Sequence, residues 1–430
     1  MHGGDPHFPL MKSMLSMEGS GGMEPKQGSI LKKKHIAFIA AAYCGYIVYA
    51  FYYHGFGTNA TVMMKFYRIT SAQQGLIFTM QSIGGLCMAL YFAVRGERYN
   101  KINVIAAGML LVGATGVAVG LAPPYTALIL LVIAGGVGYS SMDVMVNSLI
   151  PELYPKQKNT LLPMAHAFFG AGAMTAPLLI TTLVNPGVPS SFARPFLLTG
   201  AVGIGVFLLF LVISRRVIPE TPYADMKAAR KHVADHPAEI FKTKKAWMFL
   251  MAGILYFSFQ VGIMSWLPSY CQEVGLDFGT SGAMLTAFFM GSLVMRFCGP
   301  VILKKMTARK AYILFSLFSV TAIAAALLTN NPAAMMTLFA ISGFMQGSCV
   351  AFLVLMSTEA FPHRVASASS LIFIAANAAS MTAPLWMGGI AEHTGFRTPL
   401  LLVCVLMVLS VMLIVWAGKG EGQAPADDEQ

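Results

Sequence analysis

The sequence predicts an all-α membrane protein of twelve transmembrane helices, built as two six-helix bundles related by a pseudo-two-fold axis. Three observations predict it: long apolar blocks separated by short polar turns, a one-sided distribution of basic residues, and a repeat relating the two halves of the chain.

The apolar blocks define the elements. Of 430 residues, 56% are hydrophobic and only 11% charged, against roughly 25% charged in an ordinary soluble domain. A helix needs roughly 20 mainly apolar residues to cross the hydrocarbon core. Lipid offers backbone groups no hydrogen-bond partners, so only helices and closed barrels cross it. Unbroken runs such as 104–121 favour helices, because barrel strands alternate. Spans are expected near 36–54, 76–95, 103–121, 126–149, 163–184 and 195–214. After a polar stretch they are expected near 246–270, 278–299, 310–328, 334–357, 366–388 and 398–417. The implied organisation is a disordered tail at 1–33, a bundle at 34–217, a linker at 218–245, a second bundle at 246–418 and a tail at 419–430. The opening polar, Gly- and Met-rich residues lack the apolar core of a cleavable signal peptide.

The net charge of +11 reads as topology, with no nucleic-acid partner implied. With the N-terminus inside, the outer side carries only Lys65, Arg68, Arg194 and Arg397 of the 29 lysines and arginines. The positive-inside rule then places both termini in the cytoplasm, with the lipid bilayer of the cell (inner) membrane around the bundle.

The halves repeat at one offset. Glu152-Leu153-Tyr154-Pro155 returns 207 residues later as Glu359-Ala360-Phe361-Pro362, and Met174-Thr175-Ala176-Pro177-Leu178 returns as Met381-Thr382-Ala383-Pro384-Leu385. Tyr49, Tyr52 and Gly55 of the first span face Tyr256, Phe259 and Gly262 of the seventh. Repeated bundles of this kind place a solute site between them near the midplane. One chain supplies both bundles, so a monomer is expected.

Polar residues within spans are the site candidates. Asp143 is the one acid deep in a span. Burying its charge costs roughly 3 kcal/mol on insertion scales, so it should face the bundle interior, either to carry a proton or to lock two helices. Tyr139 and Asn147 lie one turn to either side on the same helix face. His166 could partner Asp143 or bind solute. Tyr43, Tyr46, Tyr49 and Tyr53 share an arc of about 120° on the first helix, and Tyr46 and Tyr49 are the cavity candidates. Tyr256 and Gln260 are one turn apart on the seventh helix, and Gln346 and Asn377 lie inside spans ten and eleven. Gly135, Gly136 and Gly138 suit close helix packing. The six cysteines contain no CxxC pair, and the 30 methionines form no sustained ladder, so both read as packing residues. No P-loop or metalloprotease signature is present. A non-enzyme without a cofactor, driven by solute or proton gradients, is therefore expected.

Arg95-Gly96-Glu97-Arg98-Tyr99-Asn100-Lys101 after the second span resembles the Gly-Asp-Arg-x-Gly-Arg-Lys loop of the major facilitator superfamily. A degenerate copy follows the eighth span, with Gly299, Pro300, Lys304, Lys305, Arg309 and Lys310. Ser265-Trp266-Leu267-Pro268-Ser269-Tyr270 is also similar to that family, and the resemblance covers roughly 34–417. Within the family, the stretches around Asp143–Asn147 and Met164–Gly170 resemble the fucose permease-like branch of sugar–proton symporters. That resemblance implies that Asp143 corresponds to the branch's fourth-helix acid and His166 to a polar sugar-contacting residue; a proton-coupling role is expected at Asp143, with His166 as its candidate partner. The resemblance also implies that Glu97, Arg98, Lys101 and Arg296 are gate residues that hold the cytoplasmic side shut in an outward-open state. The alternative is a proton-antiport exporter of drugs or amphiphilic compounds, with Phe168, Phe169, Phe288 and Phe289 furnishing a larger apolar site.

Overall fold

Short polar residues between the apolar blocks set the helix starts. Asn100 accepts from the amides of Ile102 and Asn103, Asp277 from Thr280, Thr307 from Lys310, and Asn331 from Ala333 and Ala334. Each side-chain oxygen thereby satisfies donors that a helix start would otherwise leave unpaired. The computed structural model describes residues 33–95, 98–154, 157–217, 237–361 and 365–419. The expected tails, most of the expected linker and the gate candidate Glu97 lie outside the described residues.

The spanning helices are α1 (Lys33–Thr58), α2 (Ser71–Arg95), α3 (Lys101–Gly120), α4 (Tyr125–Leu153), α5 (Lys158–Leu183) and α6 (Ala193–Val217). The second half supplies α7 (Lys244–Glu273), α8 (Phe278–Leu303), α9 (Ala308–Leu328), α10 (Pro332–Ala360), α11 (Val365–Thr394) and α12 (Arg397–Lys419). All twelve are long and apolar enough to cross a membrane. The face where α1 begins and α12 ends is called the near face here, and the opposite one the far face.

Several elements depart from expectation. α1 continues to Thr58, so His54, expected at a helix end, lies within the span and is 2% exposed. The continuation passes close to α7: a Cβ on Gly57 would sit 3.0 Å from the Met264 carbonyl. An unexpected short helix, Ala60–Tyr67, follows at the far face. α10 is two segments, Pro332–Gln346 and Cys349–Ala360, interrupted at Gly347 and Ser348. Gly347 lies so close to α8 that a Cβ would fall 2.2 Å from the Ser292 carbonyl. α8 runs on to Leu303, which moves Arg296 away from the helix end where it was expected.

Packing repeats between the halves. In the first, α1 packs on α5 and α6, α2 on α4, and α3 on α4 and α6. In the second, α7 packs on α11 and α12, α8 on α10, and α9 on α10 and α12. The bundles meet through α2 with α11 and α5 with α8, pairs that exchange when the halves are swapped, and through α1 with α7. This is the pseudo-two-fold arrangement. α6 and α12 lie outermost: Leu198, Val202, Leu208 and Leu209, with Val405, Met412 and Trp416, are exposed. These apolar side chains suit contact with lipid, which needs no polar partner.

Close contacts between the bundles gather toward the far face. Thr61 donates to Gln272 (2.7 Å), Thr79 to the Met381 carbonyl (2.6 Å) and the Ala72 amide to Glu392 (2.8 Å). Cβ atoms on Gly75, Gly388 and Gly282 would meet the opposite bundle at 2.4, 2.3 and 2.5 Å. Toward the near face Leu90 of α2 and Phe373 of α11 are 57% and 59% exposed. α2 and α11 thus join at Gly75–Pro384 and are uncovered beyond Thr79–Met381.

Candidate solute site

The polar residues of the first bundle converge on Asp143. Its Oδ1 accepts from the Tyr46 hydroxyl at 2.8 Å and from Asn147 Nδ2 at 2.9 Å. Asn147 also donates to the Asp143 carbonyl at 2.9 Å, the reach expected of an i, i+4 pair. Tyr46 is fully buried while Asp143 is half-buried, so α1 and α4 hold a carboxylate by two donors. Asn147, expected among solute ligands, spends its amide on Asp143.

Of the two roles expected of His166, pairing with Asp143 or binding solute, the first is not seen, since no hydrogen bond joins the two side chains among the described residues. The His166 ring lies 6.1 Å from that of Tyr46, edge on, and the residue is exposed. Tyr46, and not His166, is the side chain from another helix that bonds Asp143. Tyr49 stacks on Tyr139, with ring centroids 3.5 Å apart and planes within 7°, and faces Phe169 at 6.1 Å. Tyr43 is withdrawn into the bundle, donating to the Leu161 carbonyl.

Across the seam, Arg296 Nη1 donates to the main-chain carbonyl of His166 at 3.2 Å, joining α8 to α5. Gly170, one turn further along α5, leaves room: a Cβ there would be 3.5 Å from that same nitrogen. Arg296 was expected as a gate residue at the near end of its helix. About 10 Å of helix follows it to Leu303 at 1.5 Å per residue, and side chains lean toward a helix's N-terminus. For α8 that direction is the far face, and Arg296 is exposed beside its bond to α5.

The second bundle contributes polar groups without protein partners. The Tyr256 hydroxyl and both amide atoms of Gln346 are buried and unpartnered. Gln346 is the last helical residue before the break in α10. Gln260 is half-buried, and Asn377 donates to the Phe373 carbonyl of its own helix at 2.9 Å.

The remaining gate candidates lie at the near face. Lys101 is buried and bonds Glu152, with Ser148 at 2.5 Å, both on α4 of its own bundle. These bonds fasten α3 to α4 and do not bridge the bundles as expected. Arg98 is exposed. Among residues the sequence did not single out, Gln81 of α2 is buried with both amide atoms unpartnered. His54 Nε2 is likewise unpartnered, and its ring lies 4.6 Å from Phe289 across the bundles. Both are polar residues inside a span, the signal by which Gln346 was found.

Two six-helix bundles related by a pseudo-two-fold and meeting along a seam are the architecture of a membrane transporter. The family model for the Major Facilitator Superfamily matches residues 42–320 and 272–430, and the chain belongs to that family. It is 24% identical over 329 residues to an uncharacterized MFS-type transporter, YfkL, of Bacillus subtilis (strain 168), covering 75% of this chain and 81% of that one. It is 22% identical over 400 residues to the inner membrane transport protein YdiM of Escherichia coli (strain K12), covering 89% and 95%. Among solved structures, a bacterial homolog of the human lysosomal transporter Spinster superposes with TM-score 0.75 at 15% identity, over 92% of this chain and 100% of that one. A D-xylose-proton symporter superposes with TM-score 0.69 at 14% identity, over 89% and 97%. These likenesses concern the fold. The chain is a multi-pass membrane transporter of the major facilitator type.

Proposed function

We propose that this protein moves a small, sugar-like polar solute by proton-coupled alternating access in the inner membrane, as a monomer with both termini cytoplasmic. The observation that carries the reading is the half-buried Asp143 carboxylate held by Tyr46 and Asn147 within the first bundle. An intramembrane acid is costly and marks an ion or proton path. Two neutral donors stabilise the carboxylate without neutralising it, so it can take up and release a proton as water reaches it from alternate faces. The stacked Tyr49–Tyr139 pair and the Tyr256 and Gln346 groups offer apolar faces and hydrogen-bonding groups, which suits a hydroxylated solute. The likeness of α4 and α5 to the fucose permease-like branch supports the same reading. In this scheme the bundles rock about the seam, the near-face opening corresponds to the cytoplasm, and Glu97, Arg98 and Lys101 act when that side closes.

The runner-up is proton-antiport export of amphiphilic compounds. It is disfavoured by two of the four aromatic residues it would use: Phe288 is buried in the second bundle's core and Phe168 packs 5.2 Å from Tyr43, whereas Phe169 and Phe289 lie against Tyr49 and His54. The test is uptake of labelled monosaccharides and sugar derivatives into proteoliposomes, with and without an imposed proton gradient, using Asp143→Asn in parallel. Gradient-stimulated uptake that the variant loses while retaining solute exchange supports the reading. Gradient-driven uptake undiminished in the variant removes Asp143 from it.

A further inference from the structure

Arg296 is a cation placed where a membrane protein does not keep one without a use. It lies within the hydrocarbon-crossing part of α8, and its side chain leans toward the bilayer centre. No carboxylate pairs with it among the described residues; its one hydrogen bond goes to the His166 carbonyl. A guanidinium carries five N–H donors in a fixed fork matched to a carboxylate, and among the described residues only one hydrogen bond from the exposed Arg296 is formed, to the opposite bundle. Asp143, the one acid at similar depth, is on the opposite bundle and already accepts two hydrogen bonds. Tyr46, which bonds Asp143, lies 6.1 Å ring to ring from His166, whose main-chain carbonyl Arg296 holds. In the same bundle as Arg296, the Tyr256 hydroxyl on α7 and the Gln346 amide on α10 are buried without partners of their own.

We propose that Arg296 binds the carboxylate of an anionic, hydroxylated solute of the sugar-acid class, with Tyr256 and Gln346 serving its hydroxyls. The proposal rests on the transporter reading above and narrows its solute. It gives the two charged positions separate tasks: Arg296 selects the anion, and Asp143 carries the proton. One monocarboxylate moving with one proton transfers no net charge. An inside-negative potential, worth roughly 2.3 kcal/mol per charge per 100 mV, then does not oppose entry of the anion.

The test uses the full chain in detergent and in proteoliposomes, with D-gluconate and D-glucuronate against D-glucose and D-glucitol as neutral counterparts. Thermal unfolding measures binding independently of flux. The expected result is protection by at least one of the two acids and by neither neutral counterpart. The apparent affinity falls about tenfold or more in Arg296→Gln and is partly kept in Arg296→Lys, which retains the charge but not the fork. Uptake of the protecting acid is expected to be stimulated by an inward proton gradient and unchanged by a valinomycin-set potassium diffusion potential. Protection by D-glucose that is equal in wild type and Arg296→Gln overturns the proposal and leaves the transporter reading standing. So does a folded wild type that neither acid protects. Protection by an acid without flux of any solute instead upholds the anion site and defeats the transport reading.

Discussion

Tyr46 and Asp143, on α1 and α4, are joined by a 2.8 Å hydrogen bond from the phenol to the carboxylate. Tyr46 is wholly buried, so the bond has no competition from solvent on the donor side. A hydrogen bond to a charged group contributes about 1.5–3 kcal/mol. Tyr46→Phe keeps the ring and removes only the donor. Gradient-driven uptake is expected to fall about tenfold or more while thermal stability in detergent changes by only a few degrees. Unaltered uptake in a folded Tyr46→Phe protein would remove this bond from the coupling path.

Lys101 and Glu152 form a buried ion pair that fastens the start of α3 to the end of α4. Removing one partner of such a pair costs about 3–5 kcal/mol, because the other charge is left buried without compensation. Lys101→Met and Glu152→Gln are each expected to lower the unfolding temperature more than the double variant does. A double-mutant cycle in detergent measures it. Additive losses would mean that the two side chains do not act as a pair.

The α2–α11 seam closes on backbone at Gly75, where a Cβ would stand 2.4 Å from the Pro384 carbonyl. No side chain can move aside to relieve that contact. Gly75→Ala is therefore expected to prise the far-face closure apart, raising solvent access to Thr79 on the same helix. Thiol labelling of Thr79→Cys, in a background lacking the six native cysteines, should proceed severalfold faster when Gly75→Ala is added. Equal labelling rates would show that the seam is not held by this approach.

Asp277 caps α8 outside the span, and its carboxyl lies below the ordinary value of 3.8, chiefly through the Thr280 hydroxyl and then the Thr280 amide. The folded state therefore favours the ionised form. The stability it contributes is present above the unfolded value and is lost as pH falls through the lowered folded value. Unfolding temperature is expected to drop on acidification below about pH 4, and to drop less in Asp277→Asn, which still accepts from the amide. Parallel pH curves for the two proteins would contradict the assignment.

Much of the site was visible as residue types and little of it as wiring. Asp143, Tyr46, Asn147, Tyr256 and Gln346 stand out in sequence as polar groups in apolar blocks. That Asn147 donates to Asp143 depends on a rotamer. That Tyr46 and not His166 holds the carboxylate depends on how α1 and α5 are rotated against α4. The inward lean of Arg296 follows from α8 running on past Gly299, where the span was expected to end, through Val301, Ile302 and Leu303.

The sequence by itself determined the twelve spans, their pairing into two related halves and the segregation of basic residues. Those features follow from local requirements: apolar length to cross lipid, and an offset repeated along the chain. Tertiary structure alone decided the break in α10, the short helix after α1, the far-face closure and the facing of Arg296 across the seam. The physical reason is that helix rotation and closest approach are set by packing between distant segments. The glycines that permit those approaches carry no side chain whose character could announce its partner.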